Sequence, residues 1–285
     1  MKHSNLTFIA ALLIAAFAPV FQAVAQDYPF QTGEKLTYKL RYKLGVINAD
    51  IANLEFNIQE DNYQGTPCYR LVTDGATSNL AASIVKVKYH YDSRFSRDGL
   101  VPLSFYREQT EGSYWAKNNY TWDKSGKRLR AVVDKSTRPH RDTIFTDKNI
   151  IYDVISVLYA VRAADLEAVK AGKALNMVAA LDCNVNDLRV SYVATENKKV
   201  PDLGVVQADK YALYFKTRKG GERRDKESSV AISNKGDGNL EPIYMWITPD
   251  ESRTVVSFSA AIAVGKVEGR LVKATGTRTP VKTVK

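Results

Sequence analysis

The sequence predicts a mostly β protein, antiparallel and barrel-like or built as two half-barrels, with one central amphipathic helix. Three observations carry this. Apolar and polar residues alternate along most of the chain, as in "GEKLTYKLRYKLG". One region alone switches to helical spacing, and the chain is rich in aromatic residues, with 16 Tyr and 3 Trp. Side chains alternate across a strand, so period two gives one wet and one packed face. About ten such strands must roll up to bury their packed faces.

The opening residues read as an export signal rather than as part of the fold. Lys2 and His3 form a short basic start, Leu6 to Val24 is an apolar run, and Ala23 and Ala25 place small residues at the −3 and −1 positions. Residues 1–25 are therefore expected to be a signal peptide cleaved after Ala25. An uncleaved anchor is the rival reading, which the small-x-small ending disfavours. No cysteine lies near that point, so a lipoprotein signal is not expected. Export from a Gram-negative bacterium would leave the product in the periplasm, with residues 26–285 forming a single β-rich domain or two half-barrels split near 146–172.

The first strand covers the opening alternation. Leu36, Tyr38, Leu40, Tyr42 and Leu44 share one parity, and Lys35, Lys39, Arg41 and Lys43 share the other. After a turn or bulge near Gly45, Ala52, Leu54, Phe56 and Ile58 continue as a second strand. In "IVKVKYHYDSRF", Val85, Val87, Tyr89, Tyr91 and Phe95 oppose Lys86, Lys88, His90 and Arg94. "SYWAKNNYTWD" and "KRLRAVVD" flank the turn at Lys124 to Lys127 and make a hairpin. Later strands fit "DLRVSYVA", "KYALYFKTR", "EPIYMWIT", "TVVSFSAAIAV" and "KVEGRLV", with a charged turn at Arg218 to Glu227. Between the two sets, apolar residues at 151, 154, 155, 158 and 161 form the helical stripe, which Gly172 ends.

Several stretches together resemble one known family. "PFQTGEKLTYKLRYKLGVINADIANLEF" has an aromatic, then Gly-Glu, then Leu-x-Tyr. The middle of the chain has Pro-x-x-Phe and a Tyr-rich strand. Near the end, Trp246, Thr248, Asp250 and Arg253 form W-x-T-x-D-x-x-R, with Thr254-Val255 where the family often has a Pro. Over roughly residues 28 to 272 the chain resembles domain of unknown function 3108, a family of exported bacterial envelope proteins. The resemblance implies a β-barrel-like protein of the periplasm or envelope, similar in style to proteins linked to surface-polysaccharide export. It implies no catalytic residues.

Composition and motifs narrow the chemistry. The net charge of +10 falls by one when Lys2 leaves with the signal. A basic balance suits acidic glycans, lipopolysaccharide headgroups or anionic membrane surfaces, and export argues against nucleic acid. The candidate surface cations are Lys39, Arg41, Lys43, Lys86, Lys88 and Arg94, whose plainer reading is the solvated side of a sheet. Candidate ligand-binding aromatics are Tyr38, Tyr42, Tyr89, Tyr91, Trp115, Tyr120, Trp122 and Trp246, whose plainer reading is core. Neither a metal site nor a cofactor is expected. His90 and His140 stand fifty residues apart, and no nucleotide loop or nucleophile elbow occurs.

In an oxidising compartment, Cys68 and Cys183 can form a disulfide closing a loop of more than a hundred residues. The chain-entropy model assigns such a loop about 4–5 kcal/mol. Two separate buried thiols are the equal alternative. Lipid-facing strands are not expected, because a Lys at mid-bilayer costs roughly 2–4 kcal/mol. These readings favour a non-enzymatic periplasmic binding or carrier protein for an envelope polysaccharide or lipid-linked component. An envelope hydrolase with a site assembled from distant residues and a structural scaffold are the alternatives.

Overall fold

The structure is a computed structural model, and it describes residues 27–77, 87–181, 183–218, 241–262 and 265–284. The expected signal peptide, Lys86 and nearly all of the charged turn after Arg218 lie outside these residues.

The first eight strands follow one another as neighbours: β1 (Lys35–Leu44), β2 (Ile47–Tyr63), β3 (Thr66–Thr77), β4 (Val87–Ser96), β5 (Pro102–Glu111), β6 (Tyr114–Trp122), β7 (Arg128–Lys135) and β8 (Arg138–Thr146). The chain then passes through β9 (Ile151–Tyr152), α1 (Ser156–Ala163) and α2 (Leu166–Lys170). It returns as β10 (Leu175–Leu181), β11 (Asn184–Val200), β12 (Gly204–Thr217), β13 (Ile243–Ile247), β14 (Val255–Ala261) and β15 (Lys266–Thr275). All fifteen strands of the described residues belong to one sheet, in the order β8-β7-β6-β5-β4-β3-β2-β1-β15-β14-β13-β12-β11-β10-β9. Every pairing is antiparallel except that of β9 with β10.

The first and last long strands thus meet in the middle, with β1 paired from Lys35↔Thr275 to Lys43↔Lys266. The sheet is not closed, since β8 and β9 remain its edges. The regions near those edges nevertheless approach one another. The Trp122 indole donates to the Ile151 carbonyl at 2.7 Å, and the Ile151 amide donates to the Gly126 carbonyl at 2.9 Å. Open edge β8 carries Pro139 and the charged Arg138, Arg141 and Asp142 on a partly exposed strand, a composition that discourages pairing with another chain.

The one expected helix is two short ones, and its first residues are instead strand β9. The reason lies in three polar side chains. Asp153 accepts the backbone amides of Ile155 at 2.8 Å and Ser156 at 3.0 Å, which starts α1 after residue 153. Arg253 donates to the carbonyls of Arg162 and Ala164 at the other end. Asp165 then caps α2 by accepting the Ala168 amide at 3.0 Å.

Helix α1 packs on both sides. Val157 and Val161 join Leu188, Leu213, Met245 and Ile247 in one cluster. Ile155 and Tyr159 join Phe30, Tyr69 and Phe95 in the other. A helix apolar on two faces fits between two sheet surfaces, which is why its stripe is broader than a surface helix needs.

Candidate functional site

The two ends of the interior are built differently. At the packed end, Glu34 and Arg162 form a bidentate pair at 2.6 and 2.8 Å, with side chains 0% and 2% exposed. Arg162 also donates to the Ser252 and Arg253 carbonyls, and its guanidinium lies 5.5 Å from the Phe30 ring centroid. Burial opposes the Arg162 charge, but the Glu34 carboxylate outweighs it and holds the guanidinium above its ordinary range. Beside this pair, Thr248 and the Ser252 amide both donate to Asp250, fixing the turn that presents Arg253 to the helix end. Gly-Glu at 33–34 and W-x-T-x-D-x-x-R at 246–253 are therefore parts of one structural knot. Its charged groups are matched, and the Thr254 hydroxyl beside Arg253 is a buried atom of this turn without a hydrogen-bond partner among the described residues.

At the other end lies a cavity of about 340 Å³. Its apolar wall includes Leu40, Phe56, Ile155, Ala180, Phe258 and Val267. The opposing wall is the inward face of β3 to β6. Register there sets two adjacent rungs: Gly75, Tyr89, Gln109 and Ala116, then Thr73, Tyr91, Arg107 and Asn118. The next rung continues with Leu71, Ser93, Phe105 and Tyr120. Polar residues at inward parity thus give the wall its character.

Buried atoms on this wall without a hydrogen-bond partner among the described residues include Thr73 Oγ1, the Tyr89 hydroxyl, Gln109 Nε2, Asn118 Oδ1 and, in a guanidinium otherwise engaged, Arg107 Nε. Thr73, Gln109 and Asn118 are 1%, 2% and 1% exposed. Buried polar groups in folded proteins are overwhelmingly paired, so a cluster of such atoms on one cavity wall is a specific feature. The other atoms of these groups are held. Asn118 Nδ2 donates to the Tyr120 hydroxyl at 3.0 Å, and Arg107 donates to Gln109 Oε1 at 2.5 Å. The Tyr89 ring stacks on Tyr91 with centroids 5.7 Å apart. Tyr89 also lies flat against Gly75, where an added Cβ would meet the ring at 2.1 Å. Burial pushes the Tyr89 hydroxyl far above its ordinary range, so it stays protonated. No carboxylate lines the cavity among the described residues, and Arg107 is the one lining side chain with a formal charge.

The sequence-derived candidates separate accordingly. Tyr89, Tyr91 and Tyr120 line the cavity. Tyr38 is buried nearby and donates to the Val255 carbonyl at 2.7 Å, while Tyr42 is half-buried and touches the Gly265 turn. Trp122 is held by its bond to Ile151. Trp115 is 40% exposed on the opposite parity from the inward residues of β6. Trp246 is buried on the other side of β13 from Met245, beneath the Lys198 ammonium at 3.7 Å from its centroid.

The cations of β1 are engaged: Lys35 with Glu55, Lys39 with Asp202, Arg41 with Asp50 and Lys43 with Glu268. Arg94 bonds Asp61 and Asp92, and Lys88 is exposed. His90 and His140 each sit beside an aspartate at 2.7 Å, Asp74 and Asp134 respectively. Cys68 and Cys183 are separate buried thiols rather than a disulfide, and the Cys183 amide donates to the Tyr120 hydroxyl at 3.1 Å.

Sequence reasoning missed Thr73, Arg107, Gln109 and Asn118. The signal was present in "YWAKNNYTW", where Asn118 interrupts the parity of Tyr114, Tyr120 and Trp122, and in "PLSFYREQTE", where Arg107 and Gln109 follow Phe105 inward.

Residues 37–272 match the family described as protein of unknown function, DUF3108. The chain belongs to the DUF3108 family. A crystal structure of a beta-barrel-like protein of domain of unknown function DUF1849 from Brucella abortus is similar in fold, with a TM-score of 0.52 at 9% identity. The similarity spans 86% of this DUF3108 chain and 98% of that one. No curated protein sequence matches.

Proposed function

We propose that this DUF3108 protein is an exported, non-enzymatic carrier that holds a lipid-linked envelope component in its interior cavity. The observation that carries the reading is the cavity itself: largely apolar, about 340 Å³, with a few convergent buried polar atoms on one wall. Ligand pockets commonly span about 300–1,000 Å³ and have this combination. The apolar lining favours a lipid-linked component over a bare polysaccharide. The ion-paired cations of β1 supply no ready surface for an acidic glycan. Export rests on the basic start, apolar run and small-x-small ending of residues 1–25. We read β1–β8 and β9–β15 as two half-barrels joined by the β1–β15 pairing, with α1 occupying one end of the space between them.

Hydrolysis has less support, because glycosidase-type chemistry needs converging carboxylates and none lines the cavity among the described residues. A pure scaffold would need no such cavity. Native mass spectrometry of protein purified from the periplasm tests the reading. A bound species of defined mass that denaturation releases is the expected outcome. Protein that carries nothing, and takes up nothing from envelope extracts, would sink it.

A further inference from the structure

We infer that the face of β13–β15 opposite the cavity-lining Phe258 and Val267 holds a phosphate or diphosphate group beneath the end of β11. This second site goes beyond the carrier reading and does not depend on it. Strand register assembles it. Lys210, Trp246, Ser257 and Arg270 stand side by side across β12 to β15. The next rung carries Tyr244, Ser259 and Glu268, and beyond it Lys266 pairs with Lys43 of β1. Strand β11 reaches over this face, because Lys198 donates to Glu268 at 3.1 Å and lies 3.7 Å from the Trp246 ring centroid.

Positive charge is in surplus here. Glu268 serves both Lys43 and Lys198, and Asp50 serves both Arg41 and Arg270. Glu196 accepts the Trp246 indole. Lys210 is held by rings instead, 4.8 Å from the Tyr244 centroid and 5.1 Å from that of Trp246. Neither Lys210 nor Lys266 forms an ion pair among the described residues. Partial burial and the ammonium groups of Lys43, Lys198 and Lys210 push Lys266 below its ordinary range, against the pull of Glu268. On the same face, Ser259 Oγ and Arg270 Nε are buried without a hydrogen-bond partner among the described residues. Ser259 is only 1% exposed, and its hydroxyl can donate to an oxyanion. Lysine ammonium groups act as point charges without the planar fork of arginine, so they select by charge more than by shape. A phosphate monoester brings about −1.5 to −2, where a carboxylate brings only one charge.

The phosphate has two sources, a soluble ester and a lipid headgroup. Purified protein at low ionic strength is titrated calorimetrically with inorganic pyrophosphate and with acetate. Pyrophosphate should bind at least about tenfold more tightly, the ratio supplied by one hydrogen bond between charged groups. Lys210→Gln and Lys266→Gln should each weaken it, and Lys148→Gln, at an exposed position far along the chain, should not. Two variants are used so that a folding defect in one leaves the other informative. Flotation with phosphatidylcholine vesicles carrying phosphatidic acid separates the sources. Vesicle binding that Lys210→Gln removes identifies a lipid headgroup, and pyrophosphate binding without it identifies a soluble ester. Pyrophosphate bound no more tightly than acetate overturns the inference. An equal loss in Lys148→Gln also overturns it, because the attraction would then belong to net charge and not to this face.

Discussion

Both ends of the interior bury polar side chains, and the difference between them separates structure from function. At the packed end, Glu34 and Arg162 match one another, and the remaining guanidinium donors reach the Ser252 and Arg253 carbonyls. Around the cavity, buried atoms of Thr73, Tyr89, Gln109 and Asn118 find no partner among the described residues. A satisfied buried network rigidifies a fold, whereas an unsatisfied group costs free energy unless something else meets it. The first end is explained without a ligand. The second is not.

The largest way to break the comparison is at the packed end. Arg162→Met strands the Glu34 carboxylate in apolar surroundings and should cost about 3–5 kcal/mol in a denaturant titration. Glu34→Leu combined with Arg162→Met should recover most of that loss, because no charge is then left buried. A double variant as unstable as the single one would show that the pair is not acting as a unit.

Next comes Gly75→Ala. Its methyl would overlap the Tyr89 ring at 2.1 Å, so Tyr89 must move off the wall, at about 1–3 kcal/mol for overpacking. Amphiphile binding should fall with it. Unchanged binding would mean that the position of Tyr89 does not matter to the cavity.

A smaller effect is expected from acid. Burial alone would raise Glu268, but hydrogen bonds from Lys43 and Lys198 prevail and hold it below its ordinary value of 4.5. The unfolded chain therefore takes up this proton at higher pH than the folded one. The contribution is complete above about pH 4.5 and is lost as pH falls through the lower folded value. Glu268→Gln should flatten that part of the stability profile, and an identical acid limb in both proteins would contradict it. Smaller again is Lys39→Ala, at about 0–1 kcal/mol for an exposed pair at 3.3 Å.

These contrasts also show what was legible in the chain. Alternation at Leu36, Tyr38 and Leu40 set the buried face of β1 correctly, since all three are buried and the cations opposite them are ion-paired. It did not reveal where the strand leaves the core, and Leu44 at the same parity is 40% exposed. The Glu34–Arg162 pair spans 128 positions, and no local pattern links residues that distant. Of the stripe expected from 151 to 161, only residues 158 and 161 fall in α1, because periodicity could not show that Asp153 starts the helix and Arg253 ends it. Asn118 was visible as a polar residue on an aromatic parity. Its importance depended on the curvature that brings β3–β6 to face Phe258 and Val267, which periodicity does not encode.

The most direct test of the central claim is the denaturant stability of Thr73→Val, measured with and without decanoate, a single-chain amphiphile. Thr73 Oγ1 has no hydrogen-bond partner among the described residues, and valine keeps its shape. Without ligand, the variant should be as stable as wild type or up to about 1 kcal/mol more so. Decanoate should then stabilise it less than it stabilises wild type. A variant that loses more than about 1 kcal/mol without ligand, yet gains as much as wild type from decanoate, would show that this hydroxyl serves the fold and not a ligand.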